Sequence, residues 1–334
     1  DPAILAYTPP AVTFLKAQPG EWRFTTYAPN GRKTMLPNTG WFFDLYDVRG
    51  YNSIILRQYA DYMRAIEPQD DLDHNQIGPI YNPASLDSPL LDLLNVKYVL
   101  TLDEIPSPKF RLVYSGELRI YENLAVAPRA FTLPLAAARY AADPLAAARS
   151  FDVRQNLLLE DPAAPAVADP SPAALIPASI ERYGPNEVLL SADMAAPGYL
   201  VLADTYFGGW KAYAQAIGPE AAPSDGAPET EIPIYRADGN FRAVYLEAGA
   251  WAVRFKYSPF AVKLGAFASA MTLLTLAFLC GAWLWRYFYR ESALDSTARR
   301  VAKNSLAPMA LNLLNRAIDL VFAAFYLRLL GPTD

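Results

Sequence analysis

The chain has 334 residues, enough for about two domains, and 53% of them are apolar, more than in most soluble domains. Residues 1–258 carry 21 basic and 30 acidic side chains, whereas residues 259–334 carry 8 and 4, so an acidic part precedes a basic one. The acidic part has no dense Lys/Arg stripe, which argues against nucleic-acid binding, and the single His74 and single Cys280 exclude His-based triads, His/Cys zinc sites and an intramolecular disulfide.

Residues 1–158 are predicted to form a mixed α/β domain. Aromatic and β-branched residues at 22–27 predict a strand, and apolar residues at helical intervals predict a helix over 54–66. The other predicted elements are a helix over 89–94, strands over 96–100, 110–114 and 118–121, and short Ala-rich helices over 135–140 and 144–149.

Residues 159–177 are rich in Pro, Ala and Asp, a composition typical of a linker or long loop. Strand signals then recur at the spacing of a β-sandwich, with turn residues between them, and predict such a module over 178–258. Its predicted strands are 178–183, 187–192, 198–203, 232–235, 241–247 and 252–257. The acidic segment 218–231 is predicted to be its longest exposed loop.

Residues 264–285 contain no charged side chain, and as a helix at about 1.5 Å per residue they span the roughly 30 Å hydrocarbon core of a bilayer. They predict a transmembrane helix, and the alternative is a buried helix of a soluble core. Basic residues dominate the next segment, 286–305. Because positive charge stays in the cytoplasm, this segment is predicted to be a cytoplasmic linker and residues 1–258 to be extracytoplasmic.

Residues 306–330 predict a second transmembrane helix or, alternatively, an amphipathic helix on the membrane surface. Asn312, Arg316 and Asp319 fall at i, i+4 and i+7, on one side of this helix. Within a membrane such a polar stripe must face a bundle interior or a watery cavity.

Several short motifs, in a fixed order, resemble those of the YfhO-type family of bacterial membrane proteins. The first group is Leu-Asp-Leu-Leu-Asn-Val-Lys-Tyr-Val-Leu at 91–100, Tyr-Glu-Asn at 121–123 and Pro-Arg-Ala-Phe at 128–131. The second group is Gly-Tyr-Leu-Val-Leu at 198–202, Asp204, Tyr206, Gly-Trp-Lys-Ala at 209–212, Asn-Phe-Arg-Ala-Val at 240–244 and Tyr-Ser-Pro at 257–259. The chain departs from the family at 218–231, which replaces a tight turn.

The resemblance implies a multi-span, lipid-dependent glycosyltransferase-like protein that glycosylates cell-envelope polymers in the bacterial cytoplasmic membrane. This chain would be its extracytoplasmic C-terminal region and the helix that follows. The half in which such enzymes place their catalytic carboxylate is not in this sequence, so no catalytic residue, metal ligand or cofactor is expected here.

The tail resembles the opening of the polysaccharide flippase family, which exports lipid-linked oligosaccharides. The resemblance rests on the segments 300–305, 315–319 and 328–332. It implies a fusion of the two proteins. The start at Asp1-Pro2 without a signal peptide and the end directly after an apolar pattern lead to the expectation of a longer protein.

Candidate glycan-binding residues are charged or aromatic side chains near these motifs. Carboxylates and arginines bind sugar hydroxyls or phosphates, and a flat tryptophan ring stacks on a sugar. The candidates are Asp47, Arg49, Tyr51, Arg129, Asp204, Tyr206, Trp210 and Lys211. The alternatives are structural: Arg49 neutralises Asp47, Arg129 is a satisfied structural arginine, and Trp210 covers the sandwich core.

The sequence therefore predicts an accessory region that binds or orients a glycan or lipid-linked sugar at the membrane and is not catalytic alone. The expected partners are membrane lipid and a lipid-linked sugar or cell-envelope glycan. A second hypothesis is a structural or interaction module of a polysaccharide export protein of the flippase type. A soluble carbohydrate hydrolase is a third, which the membrane helix argues against.

Overall fold

The structure is a computed structural model that describes residues 7–217 and 229–289, together with seven isolated residues, 305, 308, 309, 312, 315, 316 and 319. The chain divides into two units, Asp1–Pro259 and Phe260–Asp334. The first unit combines helices with several β-sheets, and the second contains a long apolar helix. This confirms the broad mixed α and β class predicted from the sequence.

Short helices alternate with strands over residues 7–177. In chain order the elements are α1 (Pro10–Lys16), β1 (Arg23–Tyr27), α2 (Thr39–Phe42), β2 (Gly50–Tyr51), α3 (Arg57–Ile66), β3 (Gln76–Ile77), α4 (Pro89–Leu93), β4 (Val96–Thr101), β5 (Phe110–Ser115), β6 (Arg119–Asn123), β7 (Ala130–Pro134), β8 (Ala138–Tyr140), α5 (Pro144–Ala147), β9 (Leu157–Leu159) and β10 (Ile176–Pro177). Short 3₁₀ helices occur at Asp70–His74, Pro83–Asp87 and Leu135–Ala137.

The rest of the described chain is β-structure followed by one helix. The elements are β11 (Ser179–Tyr183), β12 (Glu187–Met194), β13 (Gly198–Thr205), β14 (Trp210–Ala216), β15 (Thr230–Ile232), β16 (Tyr235–Ala237), β17 (Phe241–Leu246), β18 (Gly249–Tyr257) and α6 (Phe260–Tyr289). A two-stranded pairing of β2 with β3 lies apart from the larger sheets.

A four-stranded sheet with the order β1-β4-β6-β5 forms the first part of the fold, with β1 parallel to β4 and the other pairs antiparallel. Its central strand β4 is buried on both faces. Tyr98 and Leu100 belong to a core cluster that includes Leu15 of α1, whereas Val99 points into the main core. This double burial explains why β4, apart from the half-buried Lys97, is made almost entirely of residues that favour burial.

Polar residues fix the entry into β4. Asn95 adopts a left-handed conformation with φ 63°, and its Nδ2 donates to the carbonyl of Ala127 at 2.8 Å. Asn123 Nδ2 donates to Asp92 Oδ1 at 2.8 Å, and Lys109 Nζ lies 2.6 Å from the same oxygen. Asp92, Asn95 and Asn123 therefore have a structural role in the core, and Asp92 Oδ2 and Asn95 Oδ1 are left without a hydrogen-bond partner among the described residues.

Two larger sheets face each other across a second core. The seven-stranded sheet has the order β10-β7-β13-β17-β16-β9-β8, and the five-stranded sheet has the order β11-β12-β18-β14-β15. Leu200 and Val244 from the first sheet belong to the same apolar cluster as Leu190, Val253 and Phe255 from the second. The alternating burial of β12 is that of a strand with one face in a core.

The predicted division into residues 1–158, a linker over 159–177 and a module over 178–258 differs from the way the sheets are built. β7 and β8 precede the predicted linker and β9 ends at its first residue, and yet all three belong to the same sheet as β13, β16 and β17. Within the predicted linker, β10 pairs with β7, and Ala164 is buried. This proline-rich segment contains few strands. Packing and backbone hydrogen bonds, such as the one from Val167 N to the carbonyl of Ala138, hold it in place.

The predicted strand over 232–235 is two strands in the structure. β15 pairs with β14 in the five-stranded sheet, and β16 pairs with β17 in the seven-stranded sheet. Pro233 lies between them and has no N–H to donate to a ladder, so the chain leaves one sheet and enters the other at this point.

The helices predicted at 54–66 and 135–140 also differ from the elements that the structure has there. The first begins only at Arg57, because Leu56 is extended with ψ 126°. In the second, a single 3₁₀ turn leads into β8, which pairs with β9. Sheet pairing has overridden the helix propensity of its alanines. The Ala-rich segment 144–149 contains α5, as predicted.

Helix α6 contains the predicted membrane span 264–285. Among the described residues, one helix is long and apolar enough to cross a membrane, over Phe260–Tyr287 with a mean hydropathy of 1.8. Most of the predicted segments 286–305 and 306–330 lies outside the described residues. Asn312, Arg316 and Asp319, the predicted polar stripe, are described, and all three are helical and exposed.

Candidate functional site

Asp204, near the end of β13, is the centre of a buried cluster of three arginines. Its Oδ1 lies 2.8 Å from Arg23 Nη2 and 2.9 Å from both Nε and Nη2 of Arg129. Its Oδ2 accepts from Arg242 Nη2 at 2.9 Å. The hydroxyl of Tyr183 donates to the same carboxylate, at 3.0 Å from Oδ2. We call Arg23, Arg129, Arg242, Asp204 and Tyr183 the arginine cluster.

Sheet register brings two of the arginines to Asp204. In the seven-stranded sheet β13 lies between β7 and β17, and Leu202 is paired with both Ala130 and Arg242. Arg129 directly precedes β7, so these two side chains approach Asp204 from the neighbouring strands on either side.

Arg23 joins the cluster from β1 of the four-stranded sheet. Its Nη1 donates to the carbonyls of Leu94 and Ala203 at 2.9 and 2.6 Å. Tyr183 comes from β11 of the five-stranded sheet. The three large sheets of the first unit therefore meet at the arginine cluster.

Electrostatics keep the carboxylate of Asp204 ionised. Burial raises its pKa, but the charges of Arg129, Arg23 and Arg242 outweigh that effect and lower the pKa to about 2. Burial, followed by the charge of Asp204, raises the pKa of Tyr183 to about 12, so its hydroxyl remains a neutral donor. The cluster therefore carries three positive charges and one negative charge, a surplus of two.

Aromatic rings cover the guanidinium groups. The guanidinium carbon of Arg129 lies 5.3 Å from the ring centre of Tyr46 and 4.9 Å from that of Tyr183. The guanidinium of Arg242 lies 4.0 Å from the ring centre of Trp210. Tyr46 and Trp210 are partly exposed, so these rings form a rim between the cluster and solvent. Such stacking stabilises a buried cation.

Several guanidinium N–H groups in the cluster have no hydrogen-bond partner among the described residues. They are Arg129 Nη1, Arg242 Nε and Arg242 Nη1. Arg129 and Arg242 are only 5% and 3% exposed, so these donors lie beneath the surface, next to the rings of Tyr46 and Trp210. Buried donors of this kind favour an added acceptor, and an anionic acceptor would also offset the surplus charge.

The arginine cluster is suited to binding charge and not to transferring protons. A general acid or base works best with a pKa near the operating pH, and Asp204 lies far below it. Arginine remains protonated and has five donors in a fixed planar arrangement that matches carboxylate and phosphate oxygens. The arrangement therefore fits recognition of an anionic group.

Asp47 and Arg49 form a separate, closed ion pair. Arg49 Nη2 lies 2.7 Å from Asp47 Oδ2, and its Nη1 donates to the carbonyl of Met35 at 2.8 Å. Burial raises the pKa of Asp47, an effect that Arg49 opposes. Both side chains are almost completely buried, so the structure places this pair as a structural contact within its loop.

The remaining predicted residues lie around or away from the cluster. Tyr51 is exposed, and its backbone is bonded to the side chain of Asn38. Tyr206 is bonded through its backbone to Asn240. Lys211 lies 2.9 Å from Glu231, and because side chains alternate along β14, it points away from the face that carries Trp210. Trp210 and Lys211 therefore do not contact one ligand together.

Sequence reasoning identified Arg129, Asp204 and Trp210 and missed Arg23, Arg242 and Tyr183. Arg242 lies within the run Phe-Arg-Ala-Val, and Arg23 within Trp-Arg-Phe. An arginine among residues that all favour burial is a usable signal, because a buried charge requires a partner. The sequence does not predict which residue that partner is, because Arg23 and Asp204 are 181 residues apart.

Another polar feature is a shallow acidic cleft beside the 3₁₀ helix Asp70–His74. Its lining includes Glu67, Asp71 and Tyr81. Glu67 accepts from the backbone of Tyr81, and Tyr81 donates to Asp71 at 2.7 Å, so these groups satisfy one another. Among the described residues, no group of three His, Cys, Asp or Glu side chains is arranged to hold a metal ion.

Comparison with protein-family models, with curated proteins and with solved structures finds no match. The role of the molecule has to be inferred from the arginine cluster and the apolar helix.

Proposed function

We propose that the chain is the membrane-anchored, extracytoplasmic accessory region of a bacterial envelope glycosyltransferase-like protein. In it, the arginine cluster binds or orients an anionic glycan or lipid-linked sugar. The observation that carries this proposal is the surplus of two positive charges at Asp204, together with the unpaired N–H groups of Arg129 and Arg242.

The ligand chemistry follows from these groups. A uronic acid carboxylate and the phosphate of a lipid-linked sugar both present oxygens that a guanidinium binds in pairs. The partly exposed rings of Tyr46 and Trp210 offer flat surfaces on which a sugar ring packs. Positive charge and aromatic surface together favour a charged sugar over a neutral one.

The low pKa of Asp204 supports a role in binding and not in catalysis. The basic residues of 286–305 support the proposed orientation, because they favour the cytoplasmic side and leave the first unit outside. The two facing sheets are consistent with a β-sandwich module that precedes the apolar helix in the sequence. The motif series 91–131 and 198–259 supports the proposed family.

A binding comparison in lipid nanodiscs tests this proposal on the full chain. Titration calorimetry would use an acidic oligosaccharide, a neutral oligosaccharide of the same length, and a polyprenyl-phosphate sugar. We expect the anionic ligands to bind and the neutral one to bind at least about tenfold more weakly, because bonds to charged groups contribute about 1.5–3 kcal/mol.

Two arginine variants localise the effect. Arg242→Gln removes unpaired donors of the cluster and is expected to weaken anionic binding by about tenfold. Arg254→Gln is the matched control, because Arg254 also stacks on an aromatic ring, Tyr213 at 4.9 Å, and pairs with Glu187 outside the cluster. Equal affinity for charged and neutral sugars, or equal loss in both variants, would contradict the proposal. Transport of an intact lipid-linked glycan without sugar transfer by the full-length protein would favour the export alternative.

A further inference from the structure

Large apolar side chains are exposed in one short stretch of the first unit, between residues 36 and 56. Trp41 is 74% exposed and Ile54 is 81% exposed. Phe207, from a different loop, is also exposed. We define the apolar patch as Leu36, Trp41, Phe42, Tyr51, Ile54, Leu56 and Phe207. Large apolar side chains exposed together in one stretch of chain are a mark of an interaction surface.

The backbone that carries the apolar patch is held in place. Asn38 donates from Nδ2 to the carbonyl of Tyr51 at 2.6 Å, and its Oδ1 accepts from Tyr51 N at 3.1 Å. Gly40 is packed so tightly that an added Cβ would lie 2.9 Å from the carbonyl oxygen of Leu45. The buried Asp47–Arg49 pair fixes the same loop. The apolar side chains are therefore displayed on an ordered loop.

Contacts connect the apolar patch to the end of β18. Gln58, two residues after Leu56, donates from its side chain to the carbonyl of Tyr206. The ring of the next residue, Phe207, lies 6.4 Å from that of Tyr257. Tyr257 is the last residue of β18, and only Ser258 and Pro259 separate it from helix α6 in the sequence. The patch thus continues to the segment of the first unit that leads into the apolar helix.

We propose that the apolar patch lies at the boundary between the headgroups and the acyl chains of a lipid bilayer and gives the first unit a second membrane contact besides α6. Trp, Tyr, Phe and aliphatic side chains are the groups that partition into this region. Lys33 and Arg57 flank the patch in the sequence and are exposed, and Lys33 suits anionic lipid headgroups, whereas Arg57 already pairs with Asp61 at 3.6 Å. This inference is independent of the arginine cluster and of any sugar ligand.

Site-directed fluorescence on the full chain in liposomes tests the proposed lipid contact. Cys280 is the only cysteine, so Cys280→Ser provides a background for single labels. Trp41→Cys and Ile54→Cys would each carry the environment-sensitive dye NBD. We expect blue-shifted emission at both positions and strong quenching when the liposomes contain lipids with brominated acyl chains.

Asp193→Cys is the control position. Asp193 is exposed on β12 and pairs with Ala250, at the other end of β18 from Tyr257. Its label should neither shift nor be quenched. Labels at 41 and 54 that respond to brominated lipid no more than the label at 193 would overturn the proposal. Labels that are shielded from water but not quenched by lipid would also overturn it and would assign the patch to a protein partner.

Discussion

Asp204 and Asp238 are both buried carboxyl groups, but their surroundings shift their pKa values in opposite directions. Asp204 is surrounded by three guanidiniums, and its pKa is lowered to about 2. Asp238, in the turn between β16 and β17, accepts one backbone bond, from Leu158 N at 2.9 Å, and burial raises its pKa to about 8. Its Oδ2 has no hydrogen-bond partner among the described residues.

The difference shows that burial alone does not determine the charge of a carboxyl group. Asp238 stays largely protonated at neutral pH, since no cation among the residues that the structure describes compensates the lost hydration. Asp204 is surrounded by three positive charges, more than are needed to balance its one negative charge. A structural ion pair needs a single arginine, as Asp47 and Arg49 show. The additional arginines at Asp204 are therefore the feature on which the proposed anion binding rests.

Removing the charge at Asp204 is expected to have the largest effect on stability. Asp204→Asn leaves three buried guanidiniums without a counter-charge, so the free energy of unfolding should fall by about 3–5 kcal/mol. Asp238→Asn replaces a mostly neutral group and should change stability far less at pH 7. Urea unfolding of the full chain in detergent, followed by tryptophan fluorescence, measures both. Similar losses in the two variants would refute the contrast between the sites.

The two aspartates should also affect pH dependence with opposite signs. The raised pKa of Asp238 means that the folded state binds more protons, so its contribution to stability falls as the pH rises from about 4 to about 8, by at most about 1.4 kcal/mol per pH unit. The contribution of Asp204 is fully present above about pH 4 and is lost as the pH falls towards 2. Unfolding curves at about pH 5, 7 and 9 should show a decline in the wild type that Asp238→Asn reduces. An identical pH profile in the variant would contradict the assignment.

A pair of tyrosine variants tests the smallest expected difference. Tyr183→Phe removes a donor to the charged Asp204 and should cost about 1.5–3 kcal/mol. Tyr62→Phe, near Asp238, removes a neutral bond to the carbonyl of Leu90 at 2.8 Å and should cost about 0.5–1.5 kcal/mol. The same urea titration compares them. A larger loss for Tyr62→Phe would show that the field at Asp204 does not strengthen its bonds.

Local patterns predicted many of the individual strands. The β-branched and aromatic residues of β4, the alternation in β12, and the turns before β13 and β17 are all encoded within a few neighbouring residues. Sheet membership was not predictable from them. β7 reads as a short segment of the first domain, yet it pairs with β13, because the pairing depends on packing between residues far apart in the chain.

The candidate site was predicted only in part for the same reason. The sequence shows that Arg129 and Asp204 lie among apolar residues, but not that they meet. Trp210 and Lys211 are neighbours in the sequence and face opposite sides of β14. Asp47 and Arg49 were readable as a pair because only one residue separates them. The sequence predicted the interaction between residues that are close in the chain. It did not predict the interactions among residues that come from three different sheets.

The position of Arg242 has a consequence for the order of folding. Arg23, Arg129, Tyr183 and Asp204 are all synthesised before β17, so the arginine cluster cannot close until the chain has been made almost to the start of α6. Contacts across such sequence distances form slowly, because a long loop has to be closed first. The third guanidinium therefore joins Asp204 only when nearly the whole first unit has been made.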